Sequence, residues 1–475
     1  MIDELWRRTA RDAVALLKAG EVRPSEMVAT ALARIEATDG DVNAVPTRCA
    51  ERAYAAAERL EAERPPETPG PGYLYGLPIV VKDLTNVAGV RTTFGSPIFA
   101  DNVPTASDLL VQRLEANGAI VVGKSNTPEF GAGAHTFNEV FGATRNPWDT
   151  RFTCGGSSGG AAVALATGQA WLATGTDMGG SLRIPGAFCG IVGFRPSPGR
   201  VGRGPSSTPF DRLSVHGPMA RNVRDAALML DAEVGSDPRD PLVLPAPAEP
   251  FQQAVERLPA PARIAWSPDL GVAPVEPEVA DIAGRAAAWF QETGAAVEAA
   301  APDLSDAPAI FQVLRAHYFA TTRAPLLERH RELLKPEVIW NIEKGLGQDA
   351  GTLARAQLAQ GALYHRAAVF FETYDLLLCP TVMAPPFPVE TRYLEQVAGV
   401  RFDNYIDWLM LTYAITITEL PALSLPCGFT EAGLPVGLQI VGPPRGEAAV
   451  LAAAARFEDG HDLAARVPMD PLRRH

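Results

Sequence analysis

The N-terminal stretch of the chain carries apolar residues at the spacing of an α-helix. A second helix is predicted over 25–37, with Ser25 as its N-cap because a serine hydroxyl can accept a hydrogen bond from the first helical turn. The segment 63–72, rich in proline and glycine, then ends any helix. We therefore expect an N-terminal helical region over 1–65.

Further along the chain, short apolar runs alternate with amphipathic stretches. LPIVVKD at 77–83 and GAIVVGK at 118–124 are typical of buried strands, and they flank a predicted helix at 106–117. The same strand–helix–strand order returns at 262–300. This alternation predicts an α/β fold with a large mixed, mostly parallel twisted sheet covered by helices on both faces.

A proline-rich stretch around 243–261 marks the best internal boundary. Strand patterns lie on both sides of it, so we expect one large sheet that both halves supply. We find no internal repeat and no long low-complexity tract, which argues against a solenoid or a disordered linker.

Composition narrows the range of partners. The chain has 475 residues, of which 47% are apolar and 20% charged, as in ordinary globular proteins. Its net charge is −13 without any basic block, so we expect neither nucleic acid nor an anionic membrane surface as a partner. Uncharged stretches near 159–176 and 408–418 are too interrupted or too short to span a bilayer.

Cysteine and histidine patterns make metal and disulfide chemistry poor hypotheses. The five cysteines are widely spaced and contain no CxxC pair, and the seven histidines show no HxH or HxxxH spacing. The first residues also lack the unbroken apolar stretch of a signal peptide. We therefore predict a cytoplasmic protein with no metal site and no cofactor.

Two familiar motifs occur in contexts that do not suit them. GAIVVGKS at 118–125 matches the phosphate-binding loop pattern, but its variable residues form the predicted strand itself, so Lys124 is expected at a strand end. GGSSGG at 155–160 contains the nucleophile-elbow pattern without an apolar strand before it. Late histidines for a hydrolase triad are limited to His461 and His475 in a charged tail.

Lys82 and the serines of the GGSSGG segment are the first two parts of a more convincing constellation. Lys82 ends an apolar strand, where desolvation would lower the pKa of its amine and make it a general base. A lysine that extends its amine to solvent at a strand end is the alternative. Ser157 and Ser158 lie among four glycines, a pattern that also suits a flexible linker.

The third part is GTDMGGSLRIP at 175–185. Two glycines before Ser181 would let backbone N–H groups converge on one point, as an oxyanion hole requires. Alternatively, Ser181 is a helix N-cap and the glycines form a turn. Each feature alone is weak, but the three in this order point to nucleophilic acyl transfer.

On these motifs the sequence resembles the amidase signature family. The resemblance covers about 70–231 and 420–445, whereas 232–400 is less diagnostic. The matching segments are LPIVVKD, GKSNTPEF, NPWDTRFTCGGSSGG, GTDMGGSLRIPGAFCGIVGFRPSPGRV, LSVHGPMARNVRDAALMLD, LPALSLPCGF and LPVGLQIVGPP. Small departures at Cys154, where proline is frequent, and Ala161, where serine is frequent, bear only on local loop shape.

The resemblance implies a Ser–cis-Ser–Lys triad at Ser181, Ser157 and Lys82, acting through a covalent acyl-enzyme. It leaves Ser158 with a structural role. The implied oxyanion hole and substrate-lining residues are Met178, Gly179, Gly180 and Ser181, with Gly131 and Gly133 as a weaker transfer. Asp177 and Arg183 flank the loop and could form an ion pair that fixes it.

The family also implies an organisation and an activity. We expect a single domain over 1–475, with a signature core at 70–231, a variable substrate-shaping region at 232–400 and a return to the sheet at 401–475. The expected reaction is hydrolysis of a small-molecule amide, with esters and carbamates or urethanes as further substrates. A homodimer would be in keeping with the family.

Two other functions stay open at this point. The chain also resembles the glutaminase component of the tRNA-dependent amidotransferase, which works inside a complex, and a catalytically idle binding relative is a third possibility that the intact triad opposes. Five aromatic residues of the later segments would either line the pocket or belong to the core: Phe311, Tyr318, Trp340, Tyr405 and Trp408. They favour a largely apolar or aryl amide over a charged amino-acid amide as the substrate.

Overall fold

The computed structural model describes residues 2–63 and 65–473. Arg64, in the predicted helix-ending segment, and His475, in the charged tail, lie outside the described residues. The strands are β1 (Thr47–Arg48), β2 (Pro78–Lys82), β3 (Ile120–Ser125), β4 (Phe137–Asn138), β5 (Gly142–Ala143), β6 (Leu172–Asp177), β7 (Val192–Arg195), β8 (Val215–Ala220), β9 (Arg263–Trp266), β10 (Ala296–Ala299), β11 (Leu376–Pro380), β12 (Gln396–Val397), β13 (Val400–Arg401), β14 (Ala422–Phe429) and β15 (Pro435–Val441).

Helices surround these strands along the whole chain. The α-helices are α1 (Ala10–Ala19), α2 (Pro24–Val42), α3 (Ala50–Ala62), α4 (Leu109–Ala116), α5 (Gly159–Ala166), α6 (Arg183–Cys189), α7 (Val223–Glu233), α8 (Phe251–Arg257), α9 (Pro277–Trp289), α10 (Ala307–His330), α11 (Pro336–Leu346), α12 (Ala350–Phe370), α13 (Met410–Ile417) and α14 (Glu447–Asp459). Short 3₁₀ helices lie at Ile2–Arg7, Pro97–Phe99, Glu129–Gly131, Phe290–Thr293, Arg331–Leu333, Asp407–Leu409 and Ala464–Arg466.

One large sheet organises the molecule. Among the described residues it contains eleven strands in the order β1-β3-β2-β6-β8-β7-β14-β15-β11-β9-β10. Helices α5, α6, α7 and α9 pack against it. The predicted α/β fold with helices packed over a large mixed sheet is confirmed.

Parallel pairing occurs in two blocks, β3-β2-β6 and β11-β9-β10. Both predicted strand–helix–strand units become parallel pairs, β2 with β3 and β9 with β10, because a helical crossover returns the chain in the same direction. The strands between the blocks pair antiparallel, as β1 does at one edge. This antiparallel share is larger than the alternation predicts, because short connections such as 430–434 between β14 and β15 permit only antiparallel neighbours.

Strands from both sides of the proline-rich stretch at 243–261 join this one sheet, since β7, which precedes the stretch, pairs with β14, which follows it. The strands β2 and β3 are buried along their whole length. A strand covered on both faces reads as a continuous apolar run, which is why both were visible in the sequence. Within 2–63 and 65–473, none of the helices has the length and apolar composition needed to cross a bilayer.

The start of α2 corrects one local prediction. Arg23, rather than Ser25, is the N-cap, and the Glu26 carboxylate accepts a hydrogen bond from the Arg23 N–H at 2.8 Å. Pro24 takes the first helical position, where its missing N–H does no harm. Ser25 therefore lies inside the first turn. The third helix, α3, ends at Ala62, just before the predicted helix-ending segment.

Candidate active site

Lys82 is the last residue of β2 and is completely buried. Its Nζ atom lies 2.8 Å from each of three hydroxyl oxygens, those of Ser157, Ser158 and Thr176. Burial lowers the pKa of the Lys82 amine well below its ordinary value, and the carboxylate of Asp177 opposes this only in part. The amine is thus held in a dry pocket that favours its neutral form.

The GGSSGG segment is a tightly packed loop that leads into α5. A Cβ atom on Gly159 would lie 2.2 Å from the Thr136 hydroxyl oxygen, and one on Gly160 would lie 2.3 Å from the Asn126 backbone nitrogen. These glycines are therefore required by close packing, and the flexible-linker alternative is wrong. The peptide bond between Gly156 and Ser157 is cis.

Ser158 and Thr176 are closer to the amine than the sequence indicated. The Ser158 hydroxyl oxygen also lies 3.3 Å from both the backbone nitrogen and the backbone oxygen of Thr176. The expected role of Ser158 is structural and no motif points to Thr176, yet both hydroxyl groups contact the Lys82 amine. The available signal was a threonine in the penultimate position of β6, beside a strand that ends in a lysine.

The predicted oxyanion loop follows β6 directly. The N–H of Gly180 donates to the Asp177 carboxylate at 2.9 Å, so this donor is occupied within the protein. Within the described part of the chain, no acceptor is recorded for the N–H groups of Gly179 and Ser181. A Cβ atom on Gly180 (φ +119°) would lie 2.3 Å from the Thr412 hydroxyl oxygen, which explains why the loop requires glycine there.

Asp177 and Arg183 form the predicted ion pair, which is confirmed. Both side chains are fully buried, and Arg183 donates to the two carboxylate oxygens at 2.9 and 3.0 Å. Burial alone would raise the pKa of Asp177, but the guanidinium groups of Arg183 and Arg195 outweigh it and hold the pKa below its usual range. The remaining Arg183 donors bind the Thr412 carbonyl, the Thr416 hydroxyl and the Gln439 amide oxygen.

The serines Ser157 and Ser181 face one cleft of about 990 Å³, including its open mouth. The backbone N–H of Ser158 donates to the Ser181 carbonyl at 3.1 Å, which joins the two loops. Ser157 is almost fully buried, whereas Ser181 is partly exposed. No hydrogen bond joins their two hydroxyl groups among those of the described residues.

Gly131 and Gly133 also line the cleft, in agreement with the substrate-lining role that the family resemblance implied for them. A Cβ atom on Gly131 would lie 3.3 Å from the Ser157 hydroxyl oxygen. Met178 and Gly179 complete the wall beside Ser181. The structure thus brings the predicted triad and most of the predicted lining to one place, while their catalytic roles stay predictions.

The predicted aromatic residues divide into two groups. Phe311 and Tyr318, both on α10, line the cleft. Tyr405 and Trp408 line a smaller neighbouring cavity, and the Trp340 ring makes an edge contact with Tyr405 at 5.8 Å between centroids. Helix α10 is therefore the part of the variable region 232–400 that shapes the cleft.

The positive charge of the cleft is a feature that the sequence motifs did not indicate. Three arginines line it, Arg203, Arg315 and Arg323, and no aspartate or glutamate does so among the described residues. His216 lines it too, and burial lowers its pKa to about 3, so its ring is neutral. The available signal was the spacing of Phe311, Arg315 and Arg323 along one face of a helix.

Lys124 and His461, the residues that the phosphate-loop pattern and a hydrolase triad would use, make structural contacts instead. Lys124 lies inside β3, is fully buried and forms an ion pair with Asp83 at 3.2 Å. Six of the eight residues at 118–125 form strand β3, so the segment is not a phosphate loop. The Nδ1 atom of His461 lies 2.9 Å from the Phe457 carbonyl oxygen. Among the described residues, His461 has no hydrogen bond to a serine. No group of three or more His, Cys, Asp or Glu side chains arranged for a metal ion occurs in the described ranges.

Comparison with known proteins shows which proteins the whole chain resembles. The chain is 35% identical over 471 residues to an acylamidase of Rhodococcus erythropolis, covering 98% of each chain. It is 37% identical over 497 residues to the A subunit of the glutamyl-tRNA(Gln) amidotransferase of Moorella thermoacetica, covering 98% of this chain and 99% of that one. The crystal structure of a bacterial aryl acylamidase superposes with a TM-score of 0.88 at 30% identity, over 97% of this chain and 99% of that chain.

The fold, the cleft and these relatives define an enzyme that hydrolyses amide C–N bonds. A model of the Amidase family matches residues 26–451. The chain belongs to the Amidase family.

Proposed function

We propose that the chain hydrolyses a small-molecule amide through a covalent acyl-enzyme, with Ser181 as nucleophile, Ser157 as proton relay and Lys82 as general base. The observation that carries this proposal is the 2.8 Å contact between Lys82 Nζ and the Ser157 hydroxyl oxygen. The amine is buried there, and its desolvation lowers its pKa. A neutral amine is the form that can accept a proton at pH 7.

The hydrogen bonds around Lys82 support a specific arrangement of protons. The Ser158 hydroxyl has the Thr176 carbonyl as its own acceptor at 3.3 Å, so it is free to accept from the amine. A neutral amine has two N–H bonds and one lone pair. If the N–H bonds point to the hydroxyl oxygens of Ser158 and Thr176, the lone pair faces Ser157.

Acylation then follows in balanced steps. As the Ser181 oxygen attacks the substrate carbonyl carbon, its proton passes to the Ser157 oxygen and the Ser157 proton passes to Lys82. A turn of the partly exposed Ser181 hydroxyl toward Ser157 completes this relay. The unoccupied N–H groups of Gly179 and Ser181 stabilise the negative charge that develops on the carbonyl oxygen.

Collapse of the tetrahedral intermediate breaks the C–N bond. The Lys82 ammonium returns its proton through Ser157 to the leaving nitrogen, which departs as a neutral amine. A water molecule then attacks the acyl-enzyme by the same relay, releases the carboxylic acid and restores Ser181. The side chains that transfer protons in these steps are the lysine and the two serines, and the proposed binding partner of the chain is its small-molecule substrate.

The activity of the isolated chain on a panel of substrates tests the proposal. A 4-nitroanilide, an aliphatic amide, a carbamate and glutamine would be compared with the chain alone, because the family resemblance leaves esters and carbamates open. Release of 4-nitroaniline that is lost in Ser181→Ala supports a stand-alone amidase. Turnover that persists in that variant would discard Ser181 as the nucleophile.

A second candidate function has support of its own. The identity of 37% to the A subunit of an amidotransferase, over 98% of the chain, favours a glutaminase that works in a complex. That role predicts glutamine hydrolysis only when partner proteins are added, and no release from anilides by the chain alone. The same panel therefore separates the two functions. The cytoplasmic location and the homodimer remain predictions from the sequence.

A further inference from the structure

The lining of the cleft is positively charged, although the molecule as a whole carries a net negative charge. The whole chain has 55 acidic and 42 basic residues. Yet the described residues that line the cleft include three arginines and neither aspartate nor glutamate. The field of a concave, low-dielectric site is focused toward its opening, so this cleft attracts anions although the protein as a whole is negative.

The three arginines differ in how their charge is balanced. Arg203 forms an ion pair with Asp211 at 3.6 Å. Neither Arg315 nor Arg323 has a carboxylate partner anywhere in the described part of the chain. A charged group that leaves water without a counter-charge is costly, and Arg315 is almost completely buried whereas Arg323 is partly exposed. Two cations without a carboxylate partner in one wall indicate that the counter-charge arrives with a ligand.

Arg315 is held beside the predicted oxyanion loop by neutral groups. Its side chain is 6% exposed, donates to the Tyr405 hydroxyl at 2.8 Å and contacts the Met178 sulfur at 3.4 Å. Its Nε–H is buried and has no acceptor within 2–63 and 65–473. Met178 lies three residues before Ser181, so this positive charge adjoins the point of nucleophilic attack.

Arg323 approaches the cleft from the side of Ser157. Its guanidinium carbon lies 4.8 Å from the centre of the Phe130 ring, and its Nη1 donates to the Thr322 carbonyl at 3.1 Å. Phe130 precedes Gly131, the residue whose added Cβ would come within 3.3 Å of the Ser157 hydroxyl oxygen. Its other guanidinium donors bind no acceptor among the described residues, and a bidentate carboxylate is the ligand that fits such a fork.

We propose that Arg315 and Arg323 form an anion subsite, so that the preferred substrate is an amide that carries a carboxylate. This inference rests on the proposed amide hydrolysis and names its substrate class. The two arginines lie eight residues apart on α10, about 12 Å along the helix axis, so the subsite can receive carboxylates at different distances from the scissile bond. Aromatic residues between them, Phe319 and Tyr318, would hold the apolar part of the substrate.

The same subsite selects against glutamine. A free glutamine molecule carries an α-ammonium as well as a carboxylate, and this ammonium would meet two arginines with no acidic side chain in the described cleft lining to balance it. Like charges in a site of low dielectric repel each other strongly. The substrate class is therefore a monoanionic amide rather than a zwitterionic one.

Three anilides with acyl chains of five carbons test the inference. Glutaryl 4-nitroanilide carries a terminal carboxylate, pentanoyl 4-nitroanilide lacks it, and γ-glutamyl 4-nitroanilide adds an ammonium. We expect kcat/KM for the glutaryl compound to exceed that for each of the other two by about tenfold or more, as a charge-assisted hydrogen bond provides. A fourth probe, the pentanoyl amide of 4-aminobenzoate, carries the carboxylate on the leaving group instead.

Variants assign the preference to the two arginines. In Arg315→Met and in Arg323→Met the ratio of kcat/KM between glutaryl and pentanoyl anilides should fall about tenfold. Arg329→Met changes an exposed arginine on the same helix, outside the cleft lining, and should keep the wild-type ratio. An equal fall in all three variants would mean that the net charge of the helix, and not the subsite, sets the preference, and would overturn the inference.

Failure of the inference is distinguishable from failure of the proposed function. If both carboxylate probes are cleaved no faster than the pentanoyl anilide, the anion subsite is wrong and the amidase remains. If no probe is cleaved, the proposed function is wrong, and the anion subsite is then tested by measuring the affinity of the chain for the probes. In that case the dissociation constants of the glutaryl and pentanoyl compounds would be measured calorimetrically on Ser181→Ala, where equal affinities would refute the subsite and a tenfold difference would support it.

Discussion

The two sides of the cleft differ in how their charged side chains are balanced. On the sheet side, Asp177 and Arg183 satisfy each other and the surrounding groups, and the Lys82 amine has three hydroxyl partners. On the α10 side, Arg315 and Arg323 are held by neutral groups and have no acidic partner among the described residues. On the first side the charged groups have their partners within the protein, whereas on the second the proposed substrate carboxylate would supply the counter-charge.

This difference separates the chemistry from the selection of substrate. Groups that stabilise a transition state must be fixed before the substrate arrives, because any reorganisation at that moment reduces the gain. Groups that bind the substrate lose water and find their partner only on binding. Substitutions of similar size on the two sides should therefore have different consequences, first for turnover and then for stability.

Ser181→Ala should have the largest effect, since it removes the proposed nucleophile. We expect kcat to fall about 10⁵-fold or more, because the residues of a nucleophile–base unit lose nearly all of their contribution together. Turnover of a 4-nitroanilide measures the loss. Ser305→Ala, an exposed serine bonded to Asp303, is the matched control and should keep the wild-type rate. A fall of less than tenfold in Ser181→Ala would contradict the proposed mechanism.

Lys82→Met should rank next, with a loss of about 10³-fold or more in kcat, because it removes the base and its path to the leaving group. Methionine fills similar space without a charge, so the loss would be chemical. In the wild type, activity should decline as pH falls through the lowered pKa of Lys82, because protonation removes the lone pair. A rate that is flat with pH down to the point of acid unfolding would show that Lys82 is not the base.

The stability of the same variant gives an independent check on the neutral amine. Between the lowered pKa in the folded state and the ordinary value near 10.4, the unfolded chain binds one proton more at Lys82 than the folded chain. The free energy of unfolding of the wild type should therefore rise with pH across this window, relative to Lys82→Met. Urea unfolding at several pH values measures the slope, and parallel curves for the two proteins would contradict a depressed pKa.

Arg183→Met should destabilise the protein by about 3–5 kcal/mol, because it breaks a satisfied pair and leaves Asp177 buried with Arg195 as its remaining counter-charge. The Asp177 carboxylate also holds the N–H of Gly180, so the predicted oxyanion loop should loosen and kcat should fall as well. Denaturant unfolding measures the first effect. A change below about 1 kcal/mol would mean that the loop does not depend on this ion pair.

Sequence patterns were sufficient for the sheet side because its constraints are local. A lysine at the end of an apolar run and glycines beside two serines can be read from neighbouring residues. Gly180 shows the limit, since its N–H looked available for an oxyanion until the structure placed it on Asp177. The pairing of β7 with β14 shows another, because these two strands lie far apart in the sequence and nothing local indicates that they become antiparallel neighbours.

The α10 side could not be predicted in the same way. Arg315 and Arg323 carry no motif, and a charged residue on a helix is normally solvated. Their place in the cleft depends on the residues that they contact, Met178 and Phe130, which are more than a hundred residues away in sequence. The aromatic residues were open to either reading for the same reason, and the structure divides them between the cleft and the neighbouring cavity.

Arg315→Met should have the smallest effect on stability and so tests the comparison most sharply. The variant makes the same chemical change as Arg183→Met, also at a buried position, but it removes a charge that no acidic side chain of the described residues balances. It also removes a buried Nε–H without an acceptor, while the Tyr405 hydroxyl keeps its hydrogen bond from Asn341. We therefore expect a free energy of unfolding within about 1 kcal/mol of the wild type, or higher. A loss of about 3 kcal/mol or more would show that Arg315 belongs to the framework of the fold, and the contrast between the two sides of the cleft would then fail.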